Sequence, residues 1–228
     1  MEQNIKPIET LYNGYRFRSR LEARWAVFFD AAGIEYEYEQ EGFIAQDGTK
    51  YLPDFYLPKS DTYVEVKGER EGAWDEIKKA EKMVVWGGNV RRILILSNIP
   101  KAGDFDGGMW HFPCFYWDGK HDCVWVGWFY FCDDGDVNVH GHMSSADYLP
   151  PWSICDDGYH AFKRELSFQC VSDTWLRNSR LPPAKFHEPF DEEAKQMNYE
   201  FNKMTFEAFK AAQQARFECG EHGIRMAE

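Results

Sequence analysis

The sequence predicts an α/β protein. Residues 17–33 carry helical apolar spacing, residues 34–67 fall into short strand-like runs, and residues 74–97 form a second helical run followed by a buried, parallel-type strand. In the first helix Leu21, Trp25, Phe28, Phe29 and Ala32 share one stripe, and Gly33 supplies the C-terminal stop. Ser19 and Glu22 fit a capping box, with the serine as N-cap and the glutamate at the third helical position. Glu22 also lies beside the apolar stripe, where a carboxylate is partly desolvated and calls for a partner or a cation. The two roles are compatible, and both stay open.

Residues 34–39 read as the first strand, 51–57 as the second and 62–67 as the third. Alternation along Thr62-Tyr63-Val64-Glu65-Val66-Lys67 sends Val64 and Val66 to one face and Tyr63, Glu65 and Lys67 to the other, and Gly68 ends the run. Trp74, Ile77, Lys78, Glu81, Val84 and Val85 give the second helix, stopped by Gly87-Gly88, and residues 91–97 give the buried strand.

Pro53-Asp54 upstream of Glu65-Val66-Lys67 is the most informative spacing in the chain. Phosphodiester hydrolysis needs hard oxygen ligands to hold Mg²⁺ or Mn²⁺ against a dianionic transition state, and a group to orient the attacking water. Asp54 and Glu65 suit the first task and Lys67 the second. Taken alone, Glu-x-Lys fits a surface ion pair across one pleat better than a metal site; Pro53-Asp54 and the helix bearing Glu22 reverse that preference.

In the order helix, three strands, helix, strand, these residues resemble the PD-(D/E)XK nuclease superfamily over residues 12–98. The Ser19-x-x-Glu22 element is similar to the glutamate helix of the branch that contains archaeal Holliday-junction resolvases and transposon end-cleaving nucleases, and the overall texture is similar to phage and prophage nuclease-like proteins. The resemblance implies a restriction-endonuclease-like αβββαβ core and an endonuclease of phage or mobile-element origin that cleaves DNA with Mg²⁺ or Mn²⁺, leaving a 5′-phosphate. It implies metal binding by Asp54, Glu65 and the Val66 carbonyl, with Glu22 completing the site directly or through water, and with Lys67 positioning water and stabilising charge. Because one core serves many substrates, the same resemblance leaves room for a noncatalytic DNA- or protein-binding accessory module.

Composition bounds the rest. The 228 residues, 44% of them hydrophobic, suffice for one large domain or a core with an attached module. The expected division is a nuclease core over 1–101 and, over 102–228, an aromatic β-rich appendage plus a C-terminal helix packed on the core. No run reaches the ~18 apolar residues of a membrane span, and no signal-type apolar region opens the sequence. Six cysteines without paired spacing fit reduced thiols, so a soluble cytoplasmic protein is expected, in the bacterial host cytoplasm if phage-encoded.

A net charge of −12 opposes broad nonspecific binding to DNA. It is unevenly spread: residues 1–101 hold 15 basic and 17 acidic residues, against 11 and 21 for residues 102–228. Arg16, Arg18, Arg20 and Arg24 form the basic cluster, either as a contact for a phosphate backbone or as a solvated helix face. The acidic half suits a protein partner or a second copy of the chain.

Residues 105–148 read as an aromatic hairpin or small meander turning at Asp133-Asp134-Gly135-Asp136. His111, Cys114, His121, Cys123, Cys132, His140 and His142 are zinc-type side chains, but without a Cys-x-x-Cys pair they fit a core more simply than zinc. Trp110, Trp117, Trp125 and Trp128 fit core packing or an interface, with stacking on unpaired bases the sharper reading. A short element is expected near residues 162–171, and a helix, broken near Thr205, over residues 189–219.

Overall fold

The computed structural model describes residues 7–45, 47–68, 73–86, 90–100, 109–116, 125–133, 137–143, 185–187, 203–218 and 222–223. The chain opens on a hairpin, β1 (Thr10–Tyr12) and β2 (Tyr15–Phe17), turned by Asn13 and Gly14 at positive φ. Helix α1 (Arg20–Ala32) follows. Ser19 at its N-cap accepts from the Glu22 N–H, and Gly33 at φ 69° closes it in the left-handed region that glycine enters without cost.

Five short strands follow. β3 (Glu37–Tyr38) lies inside the expected first strand. The small hairpin of β4 (Phe43–Ile44) and β5 (Lys50–Tyr51) forms a sheet of its own. β6 (Phe55–Leu57) pairs antiparallel with β3 and with β7 (Thr62–Val66). The expected second strand over residues 51–57 is thus two strands, parted at Leu52-Pro53-Asp54: a proline has no N–H to give to a ladder.

Helix α2 (Ala73–Trp86) carries the chain back to β8 (Arg92–Leu96), which runs parallel to β7, as a strand–helix–strand crossover requires. Antiparallel strands β9 (Met109–Tyr116), β10 (Trp125–Asp133) and β11 (Val137–Met143) extend the same sheet outward from β8. The described strands therefore give one mixed eight-stranded sheet in the order β11-β10-β9-β8-β7-β6-β3, with β12 (Lys185–His187) paired to β9. The strands after residue 101 share a continuous sheet with those before it.

Helix α3 (Lys203–Gln214) packs on α1, with the Phe28 and Phe209 ring centres 4.4 Å apart. It ends at Gln214, short of the expected residue 219. Phe217 and Glu218 form β13 and pair with β14 (His222–Gly223), which lies beside β1, while Phe217 sets its ring edge-on to Tyr12. Strand pairing and an aromatic contact outweigh the helical spacing there. Residues 189–202 of the expected helix, the element near 162–171 and the turn glycines Gly87-Gly88 lie outside the described residues.

The sheet separates two apolar clusters. One joins Trp25, Phe28 and Phe29 of α1 and Phe209 of α3 to Val64, Val66, Leu94, Leu96 and Phe112. The other sets Ala80, Met83 and Val84 of α2 and Tyr51 of β5 against Ile93, Ile95 and Phe115, with Tyr63 packed on it. Val64 and Val66 thus face α1 and α3, and Tyr63 faces the opposite layer, the split that alternation predicts.

Candidate functional site

Asp54, just before β6, is held from three directions. Its N–H donates to the Val64 carbonyl at 3.0 Å, its carbonyl accepts from the Glu39 N–H at 2.9 Å, and its Oδ2 accepts from the Val66 N–H at 2.7 Å. The last contact puts the carboxylate on β7, one residue from Glu65. Asp54 is 5% exposed, and burial together with the nearby charges of Glu65 and Glu22 pushes its carboxyl well above the ordinary carboxylate range, against the opposing pull of Lys67 and of the Val66 N–H.

Glu65, 4% exposed, engages both oxygens: Oε1 meets Lys67 Nζ at 2.5 Å, and Oε2 accepts from the Tyr51 hydroxyl at 2.6 Å. Lys67 extends the parallel pairing by one bond, its N–H donating to the Leu96 carbonyl at 2.8 Å. Its stem is thereby anchored to the sheet while its ammonium stands over Glu65.

Glu22, 6% exposed at the N-terminus of α1, forms half of the expected capping box: its N–H donates to Ser19 Oγ at 3.2 Å, but its carboxylate takes the Ser19 hydroxyl and the Arg18 N–H in place of the Ser19 N–H. Its Oε1 accepts from the Ser19 hydroxyl at 2.6 Å; its Oε2 accepts from the Tyr38 hydroxyl at 2.7 Å and from the Arg18 N–H at 3.1 Å. Tyr38 in turn is pushed far above the usual phenol range, by burial first and then by the charge of Glu22. Its proton stays on, so it acts as a donor. The indole of Trp25 ties α1 to the end of β8 through a 2.8 Å bond to the Ser97 carbonyl, fixing the helix against the strands that carry the other residues.

The four proposed residues therefore fall at one end of the sheet, with Glu22, Glu65 and Lys67 all within electrostatic reach of Asp54. Among the described residues, no group of three or more His, Cys, Asp and Glu side chains is gathered so as to hold a metal ion. What the geometry offers a cation is the pair Asp54 and Glu65 with a backbone carbonyl at Val66, and Glu22 as a further charge. Hard carboxylate oxygens, one of them on a buried acid destabilised by its acidic neighbours, suit Mg²⁺ or Mn²⁺ and not a softer metal.

Arg16, Arg18, Arg20 and Arg24 are all exposed, and Arg18 adjoins the site through its N–H on Glu22. Arg16 pairs with Glu9 at 3.1 Å and Arg18 with Glu39 at 2.6 Å. The exposed Arg16–Glu9 pair contributes about 0–1 kcal/mol and is cheap to exchange, whereas Glu39 Oε1 is buried, so releasing Arg18 leaves that oxygen without its cation. Of the zinc-type residues, Cys114 is fully buried, its thiol pushed far up by desolvation, and takes its place in the α1 cluster. His121 and Cys123, like Trp117, lie outside the described residues, and the side chains of His111, Cys132, His140, His142, Trp110, Trp125 and Trp128 lie outside what is described.

Two functional-site neighbours escape the sequence, Tyr38 and Tyr51. Tyr51 sits three residues before Asp54, and only the break at Pro53 and the separate β4–β5 hairpin bring its hydroxyl to Glu65; no spacing encodes that. Comparisons with protein-family models, with curated proteins and with solved structures each found no match. No helix among the described residues is long and apolar enough to cross a membrane.

Proposed function

We propose that this chain is a metal-dependent deoxyribonuclease of the PD-(D/E)XK type, hydrolysing DNA phosphodiester bonds as an endonuclease. The observation that carries the reading is the meeting of Asp54 with Glu65-Val66-Lys67 on neighbouring strands, where the Asp54 carboxylate is hydrogen-bonded to the Val66 N–H and Lys67 stands 2.5 Å from Glu65. The element order α1, β3, β6, β7, α2, β8, with β7 parallel to β8, supports it. So does Glu22 at the start of α1, whose charge reaches Asp54.

A divalent cation bound by Asp54, Glu65 and the Val66 carbonyl would supply Lewis-acid stabilisation of charge on the scissile phosphate. The chain's own groups do the rest. Lys67, held over Glu65, orients the attacking water and sets positive charge against the developing phosphorane. Glu22 adds negative charge that favours cation binding and, through its bonds to Ser19, Tyr38 and Arg18, keeps the helix terminus in place. Water oxygen attacks phosphorus and the bond from phosphorus to the 3′ oxygen breaks, leaving a 5′-phosphate and, once that oxygen takes a proton, a 3′-hydroxyl.

A second reading, a noncatalytic DNA- or protein-binding module on the same core, is favoured by one observation. Glu22, Asp54 and Glu65 each already accept hydrogen bonds from protein donors. One assay separates the two readings: purified protein incubated with linear, circular, flapped, junction and single-stranded DNA, in Mg²⁺ or Mn²⁺ against EDTA. The nuclease reading expects cleavage of at least one substrate that EDTA abolishes. Binding without cleavage of any of them would leave the binding module.

A further inference from the structure

Tyr51 has an obvious structural role: at 7% exposure it packs in the cluster of Ala80, Met83 and Val84. Its hydroxyl could have faced solvent or a carbonyl. Instead it donates to Glu65 Oε2 at 2.6 Å, while Lys67 meets Oε1 of the same carboxylate at 2.5 Å. The terminal torsion of a glutamate is broad and soft, so one donor leaves the carboxylate plane free to turn. Two donors on its two oxygens, Tyr51 and Lys67, fix that plane. The phenol comes from β5, which among the described residues pairs with β4 alone, through Phe43 opposite Tyr51 and Ile44 opposite Lys50. That hairpin stands apart from the eight-stranded sheet, and Tyr51 is what it brings to the site.

We infer that Tyr51 is a positioning residue for Glu65, fixing the plane of the carboxylate that the proposed site offers to a divalent cation. The inference rests on the nuclease reading proposed above. Partners that orient a metal-ligating side chain are worth about 10- to 100-fold in metal affinity. Removal of the Tyr51 hydroxyl should therefore weaken metal binding even where packing is intact.

The test is Mn²⁺ binding by calorimetry to the full chain, without DNA and near neutral pH, for the wild type, Tyr51→Phe and a protein with 3-fluorotyrosine at position 51, each checked for its melting temperature in EDTA. Tyr51→Phe keeps the ring and should bind Mn²⁺ about 10- to 100-fold more weakly, whereas the fluorotyrosine protein, which retains the donor, should stay within a few-fold of wild type. On the substrate the wild type cleaves, Tyr51→Phe should lower kcat more than it raises KM. Wild-type Mn²⁺ affinity in Tyr51→Phe would overturn the inference and leave the nuclease reading standing, as would equal losses in both variants, which would assign the effect to packing. A folded wild type that binds no Mn²⁺ would overturn both.

Discussion

Lys67 is the residue whose placement separates a nuclease site from an ordinary strand-surface pair. Its side chain is 13% exposed and its partner Glu65 is nearly fully buried, so the pair is not the solvated surface contact that Glu-x-Lys suggests by itself. A buried pair costs desolvation on both partners and seldom pays through stability alone. In the proposed nuclease the Lys67 charge acts on water and phosphate, so Lys67→Ala should leave Mn²⁺ affinity level or slightly higher and reduce cleavage at least ~10²-fold, the size of one electrostatic or proton-transfer contribution. Equal rates in the variant and the wild type, measured at saturating Mn²⁺, would return Lys67 to the role of a structural charge. Asp54, Glu65 and Lys67 are legible in the sequence because they sit close together along two adjacent strands. Tyr38 and Tyr51 are not, since their hydroxyls reach Glu22 and Glu65 only through pairings that no local pattern specifies.

At the scale of the element, the N-terminus of α1 carries both a cap and a charge. The amphipathic stripe, the serine N-cap and the glycine stop were all readable, and the helix runs from Arg20 to Ala32 as that reading requires. Glu22→Gln separates the two functions. A glutamine can point its oxygen at Tyr38 and the Arg18 N–H and its amide at the Ser19 hydroxyl, so the cap survives; an intact cap is worth about 0.5–2 kcal/mol. The negative charge is lost, which also relieves the pressure on Asp54. The melting temperature in EDTA should therefore stay level or rise while cleavage collapses. Near-normal cleavage would confine the site to Asp54, Glu65 and Lys67. The hairpin of β1 and β2 and the split of the second strand were less legible, the first because three-residue strands carry too little alternation to register, the second because the Tyr51–Leu57 run conceals how Pro53 interrupts it.

For the whole molecule, the crossover from β7 through α2 to β8 was readable from period and length. The joining of β9, β10 and β11 to the same sheet was not, because aromatic alternation specifies a strand but not its neighbour. The fold gathers Glu22, Asp54 and Glu65 at one end of that sheet and leaves Asp54 destabilised as an anion. With its carboxyl raised in the folded state above the ordinary value of 3.8, Asp54 favours folding in its protonated form. Metal-free stability from this group is therefore greatest at low pH and is lost as pH rises from that value through the raised one. A bound cation reverses the trend by favouring the ionised carboxylate. The gain in melting temperature on adding Mg²⁺ should thus grow as pH rises from the ordinary carboxylate value through the raised one, and Asp54→Asn should abolish that growth. A Mg²⁺ effect independent of pH would place the cation elsewhere.

Cleavage by the wild type beside Asp54→Ala and Glu65→Ala, at matched folded concentrations in Mn²⁺, puts the site itself to the proof. Each substitution removes a carboxylate at the meeting point of β6 and β7 while the surrounding sheet retains its apolar clusters. The expected result is cleavage by the wild type and none by either variant, with both variants still melting cooperatively. Undiminished cleavage by either folded variant, or cleavage by the wild type that persists in EDTA, would contradict a metal-dependent nuclease centred on Asp54 and Glu65.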